Sequence, residues 1–353
     1  MLAPSLLLVF APFVANPTSV GTPQAPAAQE GAPTEASAPA PNLELPCALP
    51  EEPMVFERVW KRYRTIGDDV RGDSEHRSIL TVALDREDAE GNRVLDWQVA
   101  EGEWERFNTD GDRVDQAADK GVIELATGID YEVRVSPKFR TVILEDLSAA
   151  RAAADAGVER AVAQIEAERY FYAQKQRAVA IVKSAVLTED LLELTLLREP
   201  KILLEPLGRN YRMGKRRPWQ SYFLNPVGEE GLEANAWIEP LEHDPEANTL
   251  LVRVVRELDY DATRTRLEAQ LAGLRRRLDQ KNDAIVVDEM FELREETRTL
   301  LDLETGMPLW SEQRHWVRIY DDERLESVSF TRQGFEPSEA LTGDWEAPTD
   351  AEG

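Results

Sequence analysis

Two apolar spacings succeed one another along this chain, and the change from one to the other limits the fold more than any other feature. Leu144, Leu147, Val158, Val162, Ile165, Tyr172, Val179, Val182 and Val186 fall mostly three, four or seven residues apart, the step of a helix face. On both sides of this stretch, short runs rich in β-branched and aromatic residues alternate with polar ones, as half-buried strands do. Strands in clusters with helices set apart from them imply an α+β fold rather than alternating βαβ units. No fixed-period repeat is visible, which argues against a propeller or solenoid.

Before the helical stretch, strands are expected over Phe56–Ile66, Ser78–Leu84, Arg93–Val99, Val122–Leu125, Tyr131–Val135 and Phe139–Ile143. The polar run from Asp85 to Asn92 reads as a hairpin turn. Within the helical stretch, Gly157 is expected to bend or break the helix, since glycine costs about 1 kcal/mol relative to alanine there. Thr188 is placed to cap a further helix to Arg198, and Pro200 should end that helix or start the next. Strands resume at Trp219–Leu224, Leu232–Ile238 and Thr249–Leu258. Leu267, Leu271, Leu274 and Leu278 then form a narrow helical stripe, and long strands follow over Ile285–Leu303, Met307–Tyr320 and Leu325–Thr331. Glu304-Thr305-Gly306 and Asp321-Asp322-Glu323 are the expected turns between them.

The ends differ from this body. Leu2–Val14 (LAPSLLLVFAPFV) is too short for a spanning helix of about 20 residues but has the length of a signal-peptide core. Ser19 and Gly21 suit cleavage after residue 21, although no basic residue precedes the apolar run. Residues 22–53 are dominated by Pro, Ala, Ser, Thr and Glu, and such a stretch cannot bury enough apolar surface to offset its ordering entropy. The expected organisation is therefore a leader over 1–21, a disordered tether over 22–53, one α+β domain over 54–335, and a disordered acidic tail over 336–353. Within the domain, 54–143 and 208–335 are β lobes, 144–207 is a helical insertion, and a helix occupies 261–281. This reading implies an exported protein, periplasmic or extracellular, with no transmembrane span once the leader is removed.

Composition excludes several functions. The net charge is −26, from 67 acidic residues against 41 Lys plus Arg, so nucleic acid would be repelled. Cys47 is the only cysteine, and His76, His243 and His315 are scattered. An intramolecular disulfide and Cys-built or His-built metal centres are thus disfavoured, and no cofactor is expected. No GxSxG, P-loop or dinucleotide-binding signature occurs in its proper context. Asn108–Asp112 has calcium-loop character, but the EF-hand register puts Arg106 and Ala117 where acids are needed.

The order of elements, with Tyr131-Glu132-Val133-Arg134-Val135-Ser136-Pro137 and Asp302-Leu303-Glu304-Thr305-Gly306-Met307-Pro308, resembles a group of exported bacterial proteins similar to the lipoprotein-carrier half-barrel. The resemblance implies a mostly antiparallel curved sheet covered by helices around an apolar cavity. It transfers no functional residue, because the matching positions are turns and strands.

Two functional readings follow. The first is a non-catalytic envelope module that binds or scaffolds, with an apolar or amphiphilic, lipid-like ligand or an envelope protein as its partner. Leu80, Val82, Leu95, Trp97, Val133, Val252, Val254, Trp310 and Trp316 are the candidates for its inner face or the edges of that face. Trp97, Trp310 and Trp316 are the ring-bearing ligand candidates, and Arg212, Arg216 and Arg217 of the basic island at 209–217 would receive an anionic headgroup. Core packing and a solvated loop are the plainer roles for these residues. The second reading is a secreted hydrolase built on a carboxylate pair, and a purely structural domain is the third; a cleft with two buried acids separates the second from the first.

Overall fold

Strands dominate the computed structural model, which describes residues 42–46, 49–109, 120–121, 125, 127–167, 172–184, 188–223, 231–277, 291–343 and 345. The elements follow the chain as β1 (Asn42–Glu44), β2 (Met54–Ile66), β3 (Asp69–Glu87), β4 (Arg93–Val99), β5 (Glu103–Thr109), β6 (Ile129–Val135) and β7 (Val142–Leu144). Three helices come next: α1 (Leu147–Ala167), α2 (Tyr172–Ser184) and α3 (Glu189–Leu204). The second half contains β8 (Asn210–Arg212), β9 (Arg217–Phe223), β10 (Leu232–Asp244), β11 (Thr249–Leu258), α4 (Tyr260–Arg277), β12 (Phe291–Asp302), β13 (Pro308–Ile319), β14 (Asp322–Arg332) and a short α5 (Glu339–Thr342).

Twelve strands form one open, curved antiparallel sheet in the order β7-β6-β4-β3-β2-β14-β13-β12-β11-β10-β9, with β5 paired to the first half of β3. The small β1–β8 ladder lies apart from it. The α+β class expected from the two spacings is the class observed. Directly paired residues share a face of a sheet, so register assigns the faces. Phe56 pairs with Leu80 and Leu80 with Val99. On the other side Trp60 pairs with Val328, Val328 with Gln313, Gln313 with Thr297, and Thr297 with Val254. This is the inner face, and α1–α3 lie on it. A continuous core joins Phe56, Leu80, Trp97 and Val133 to Ala154, Ala161, Leu192 and Leu196 of the helices. A second cluster, with Phe223, Leu267, Phe291 and Val317, seats α4 at the far end.

Several expectations are corrected. Trp310 and Trp316 alternate with Ser311, Gln313 and His315 along β13, so they lie on the outer face; both parities of that strand carry large residues, and the polar set proves to be the helix-covered one. Gly157 does not break α1, which runs on through it, and it is buried where a Cβ would stand 2.6 Å from the Leu125 carbonyl oxygen. Its lack of a side chain permits close approach. Lys120, Gly121 and Leu125 are helical rather than strand, since four apolar-rich residues are too few for periodicity to decide; residues 122–124 are outside the described residues. Phe139 sits in a turn at φ 52°, and the strand begins only at Val142. Pro200 lies inside α3, which continues to Leu204 because Leu196, Leu197, Ile202 and Leu203 bury its far turns.

The boundaries move too. β1 and the buried Leu45 fall within the stretch expected as tether, and Pro46 packs over Gly306, whose φ of +72° and contact with the Pro46 carbonyl exclude a side chain. The tail expected to be disordered contains α5 and the buried Trp345, held between the guanidinium groups of Arg298 and Arg314 at 4.3 and 4.2 Å from the ring centre. Arg314 also donates to the Gly343 carbonyl at 3.0 Å. Residues 1–41 and 346–353 are outside the described residues, as are Asp110–Asp112 of the calcium-like loop and the side chains of Leu271, Leu274 and Leu278. Among the described residues, no helix is long and apolar enough to cross a membrane.

Candidate functional site: a charged cleft beneath helix α3

One register line of the inner face carries charge from strand to strand. Arg62 of β2 pairs with Glu326 of β14, Glu326 with His315 of β13, His315 with Glu295 of β12, and Glu295 with Arg256 of β11. All five are buried, with Glu326 and Glu295 only 2% exposed. Opposite neighbours of unlike charge in a sheet attract, and like ones repel; here Arg62 stands opposite Glu326 and Arg256 opposite Glu295, with the His315 imidazole between the two acids.

Helix α3 completes the row from above. Arg198 and Lys201 lie three residues apart on one face of α3, and Glu205 follows four residues on, in the turn just past the helix end, its N–H donating to the Lys201 carbonyl at 2.9 Å. Arg198 Nε donates to Gln313 Oε1 at 3.1 Å, and its Nη1 donates to Glu326. Arg256 Nη2 donates to Glu205 at 2.5 Å, while its Nη1 donates to Glu295. On the neighbouring face Glu199 accepts Arg58 Nε at 2.8 Å, and Arg58 Nη1 donates to Ser78 at 3.2 Å.

Between α3 and the sheet is a cavity of about 30 Å³. Arg198, Lys201, Ile202 and Glu205 form its roof, and Val254, Arg256, Glu295, Thr297 and Gln313 its floor; Tyr222, 45% exposed, borders it. Burial pushes the His315 imidazole down to about 3, the nearby Glu326 opposing only in part. Burial also lowers the Lys201 amine, partly offset by Glu205. Glu326 is raised by burial, but Arg198 and His315 outweigh this and hold it below the usual carboxylate range. Burial disfavours the charge on Arg256, and Glu205 and Glu295 more than restore it. At neutral pH the cleft therefore holds fixed ion pairs and a neutral imidazole.

The residues expected to bind a ligand are not brought together here. Trp97 is wholly buried in the core on the inner face of β4, and Trp310 is buried on the outer face. Trp316 is half-buried beneath Arg294, 5.0 Å from its ring centre. Arg212 lies exposed in the β1–β8 ladder, and Arg217 is exposed opposite Ile238. Arg216 pairs with Glu239 at 2.7 Å and lies over Trp237 on the outer surface. Two buried-side acids, Glu205 and Glu295, do converge in the cleft, but Arg256 bonds both. Among the described residues, no group of three or more His, Cys, Asp or Glu is placed to hold a metal ion.

No protein family matches the chain, and no curated protein does. Among solved structures it is similar to one of lipovitellin, concerned with lipid–protein interactions, at 5% identity and a TM-score of 0.39. That likeness covers 82% of this chain and 26% of the lipovitellin chain, so the chain spans about a quarter of that length. At so low a TM-score it carries no weight for the fold or for a ligand.

The charged row could have been suspected only from acids and bases at the apolar parity of strands, as with Arg58 and Arg62, which alternate with Phe56 and Trp60. In β12 charges occupy both parities (ELREETR), and no such signal is left.

Proposed function

We propose that the protein is an exported, non-catalytic binding or scaffolding module that works through the helix-covered face of its open sheet. The observation that carries this reading is the position of Arg256 between Glu205 and Glu295. A carboxylate pair that hydrolyses a bond needs one member poised to give a proton near the working pH. Here Arg256 bonds both converging acids, so neither carboxylate is left unengaged to act on a bond. His315, with its depressed pKa, is likewise a weak base. Export is inferred from Leu2–Val14 and the small residues Ser19 and Gly21. The lipoprotein-carrier-like relationship remains part of the proposal, with one change to the ligand. A cavity of about 30 Å³ whose lining mixes charged side chains with Ile202, Pro206, Tyr222 and Val254 has no room for an acyl chain, so an amphiphile would insert only its polar end beneath α3.

The test is purification from the native envelope, followed by N-terminal analysis and native mass spectrometry. The expected result is a chain starting near Thr22 with a bound molecule or partner that survives desalting. Protein confined to the cytosol with Met1 intact would overturn the export reading. Turnover of ester or glycoside substrates that is lost in Glu295→Gln would replace the binding module with the hydrolase.

A further inference from the structure

We propose that the cleft beneath α3 holds an oxyanion, the carboxylate or phosphate group of a ligand, on Nη2 of Arg198 and the ammonium of Lys201. The inference rests on the binding-module reading and names the chemistry of its ligand.

Three observations carry it. Arg198 spends Nε on Gln313 and Nη1 on Glu326, while Nη2 is buried and has no hydrogen-bond partner among the described residues. A buried guanidinium N–H left without an acceptor is costly, and native proteins rarely leave one. Lys201, three residues further along the same face and also lining the cavity, has no side-chain hydrogen bond or ion pair among the described residues. The cavity's own acids do not answer these donors, because Arg256 takes both Glu205 and Glu295. An arriving oxyanion therefore meets free donors and compensated acids.

The geometry also restricts what enters. Arg198 is held at two of its three nitrogens, so its third N–H is fixed in direction before a ligand arrives, which lowers the ordering cost of binding. The cavity's size admits a compact charged group and excludes a chain. Ile202 and Val254 offer apolar contact to atoms next to that group, and Tyr222 offers a ring at the exposed border. In a protein of net charge −26, long-range attraction does not bring an anion here, so the affinity must come from these short contacts.

The test is calorimetric titration of the full chain with inorganic phosphate and with acetate, at constant ionic strength in chloride. Vesicles of phosphatidylglycerol, with phosphatidylcholine as control, form the second arm. Lys201→Met is the informative variant, since Lys201 makes no side-chain hydrogen bond or ion pair among the described residues and methionine keeps its apolar stem; an unchanged urea midpoint checks that the fold is undisturbed. Saturable one-to-one binding is expected, weakened roughly tenfold or more in Lys201→Met and largely recovered in Lys201→Arg. Binding of the free ions identifies a soluble oxyanion, and binding of phosphatidylglycerol vesicles alone identifies a lipid headgroup; either supports the site. No binding in any arm, or equal binding by Lys201→Met, overturns it. If the probes fail while native material still carries a ligand or partner, only the oxyanion site falls and the binding module stands.

Discussion

Arg58 and Glu199, 141 residues apart in the chain, meet as a buried ion pair in which Nη2 lies 2.6 Å from Oε1. This contact fastens α3 to the middle of the sheet, beside Arg198, the next residue before Glu199, which bonds Glu326 of the charged row. Removing one partner of such a pair leaves the other buried and uncompensated, at a cost of about 3–5 kcal/mol. Arg58→Leu should therefore lower the free energy of urea unfolding by about that amount. Arg58→Leu with Glu199→Leu should recover most of the loss. A double variant as unstable as the single one would show that the pair does more than neutralise its own charges.

Acid should destabilise the protein through its buried histidines. Burial lowers His76 to about 4, with Arg58 adding to the effect, and lowers His315 to about 3. Each folded-state value lies below the unfolded value of 6.5, so the unfolded chain binds the proton more readily. The stability is fully present above pH 6.5 and drains away as pH falls toward the folded-state values. At pH 5 each histidine accounts for a loss on the order of 2 kcal/mol. His315→Gln should flatten the pH dependence measured between pH 7 and 5, and an unchanged slope would contradict the assignment.

Gly157→Ala offers a test in which local and tertiary preferences oppose each other. Alanine favours a helix interior over glycine by about 1 kcal/mol. Here, however, its Cβ would stand 2.6 Å from the Leu125 carbonyl oxygen, closer than van der Waals contact allows. Net destabilisation of about 1–3 kcal/mol is expected from overpacking, read as a lower urea midpoint. A stabilised variant would show that α1 has room to move away.

Trp345 should act as a fastener for the outer face. Trp345→Ala removes a ring stacked between Arg298 and Arg314 and should cost about 2–3 kcal/mol from lost burial and cation–π attraction. Protease should then remove the segment after Phe335 faster than in the parent protein. Equal rates would mean that the segment is held by the Arg314 contacts to Thr342 and Gly343 alone.

Much of this architecture was legible in the sequence because hydrophobic period is a local property. The change of step at Leu144 marked where sheet gives way to α1, and Leu80, Val82, Leu95, Trp97 and Val133 were placed on the correct face by alternation alone. The candidate site was far less legible. Its members lie on β2, β14, β13, β12, β11 and α3, so their meeting depends on long-range register, which no local pattern encodes. Trp310 and Trp316 were misplaced for the same reason: β13 reads WSEQRHW, and its inward parity is set only by pairing with β14 and β12. Pro200 and Gly157 misled because tertiary packing outweighs their intrinsic preferences.

The pairing of β2 with β14 has a further consequence in time. Ile66 faces Asp322 across the centre of the sheet, so the seam of the whole fold joins nearly the first strand made to the last. Until the ribosome has released the final hairpin, the first six main-sheet strands end in an exposed row of backbone donors and acceptors. Such an edge invites pairing with other chains, and closing so distant a contact is slow. The open edge of β2 is thus the place where the unfinished chain is most exposed to mispairing, and β14 is the strand that closes it.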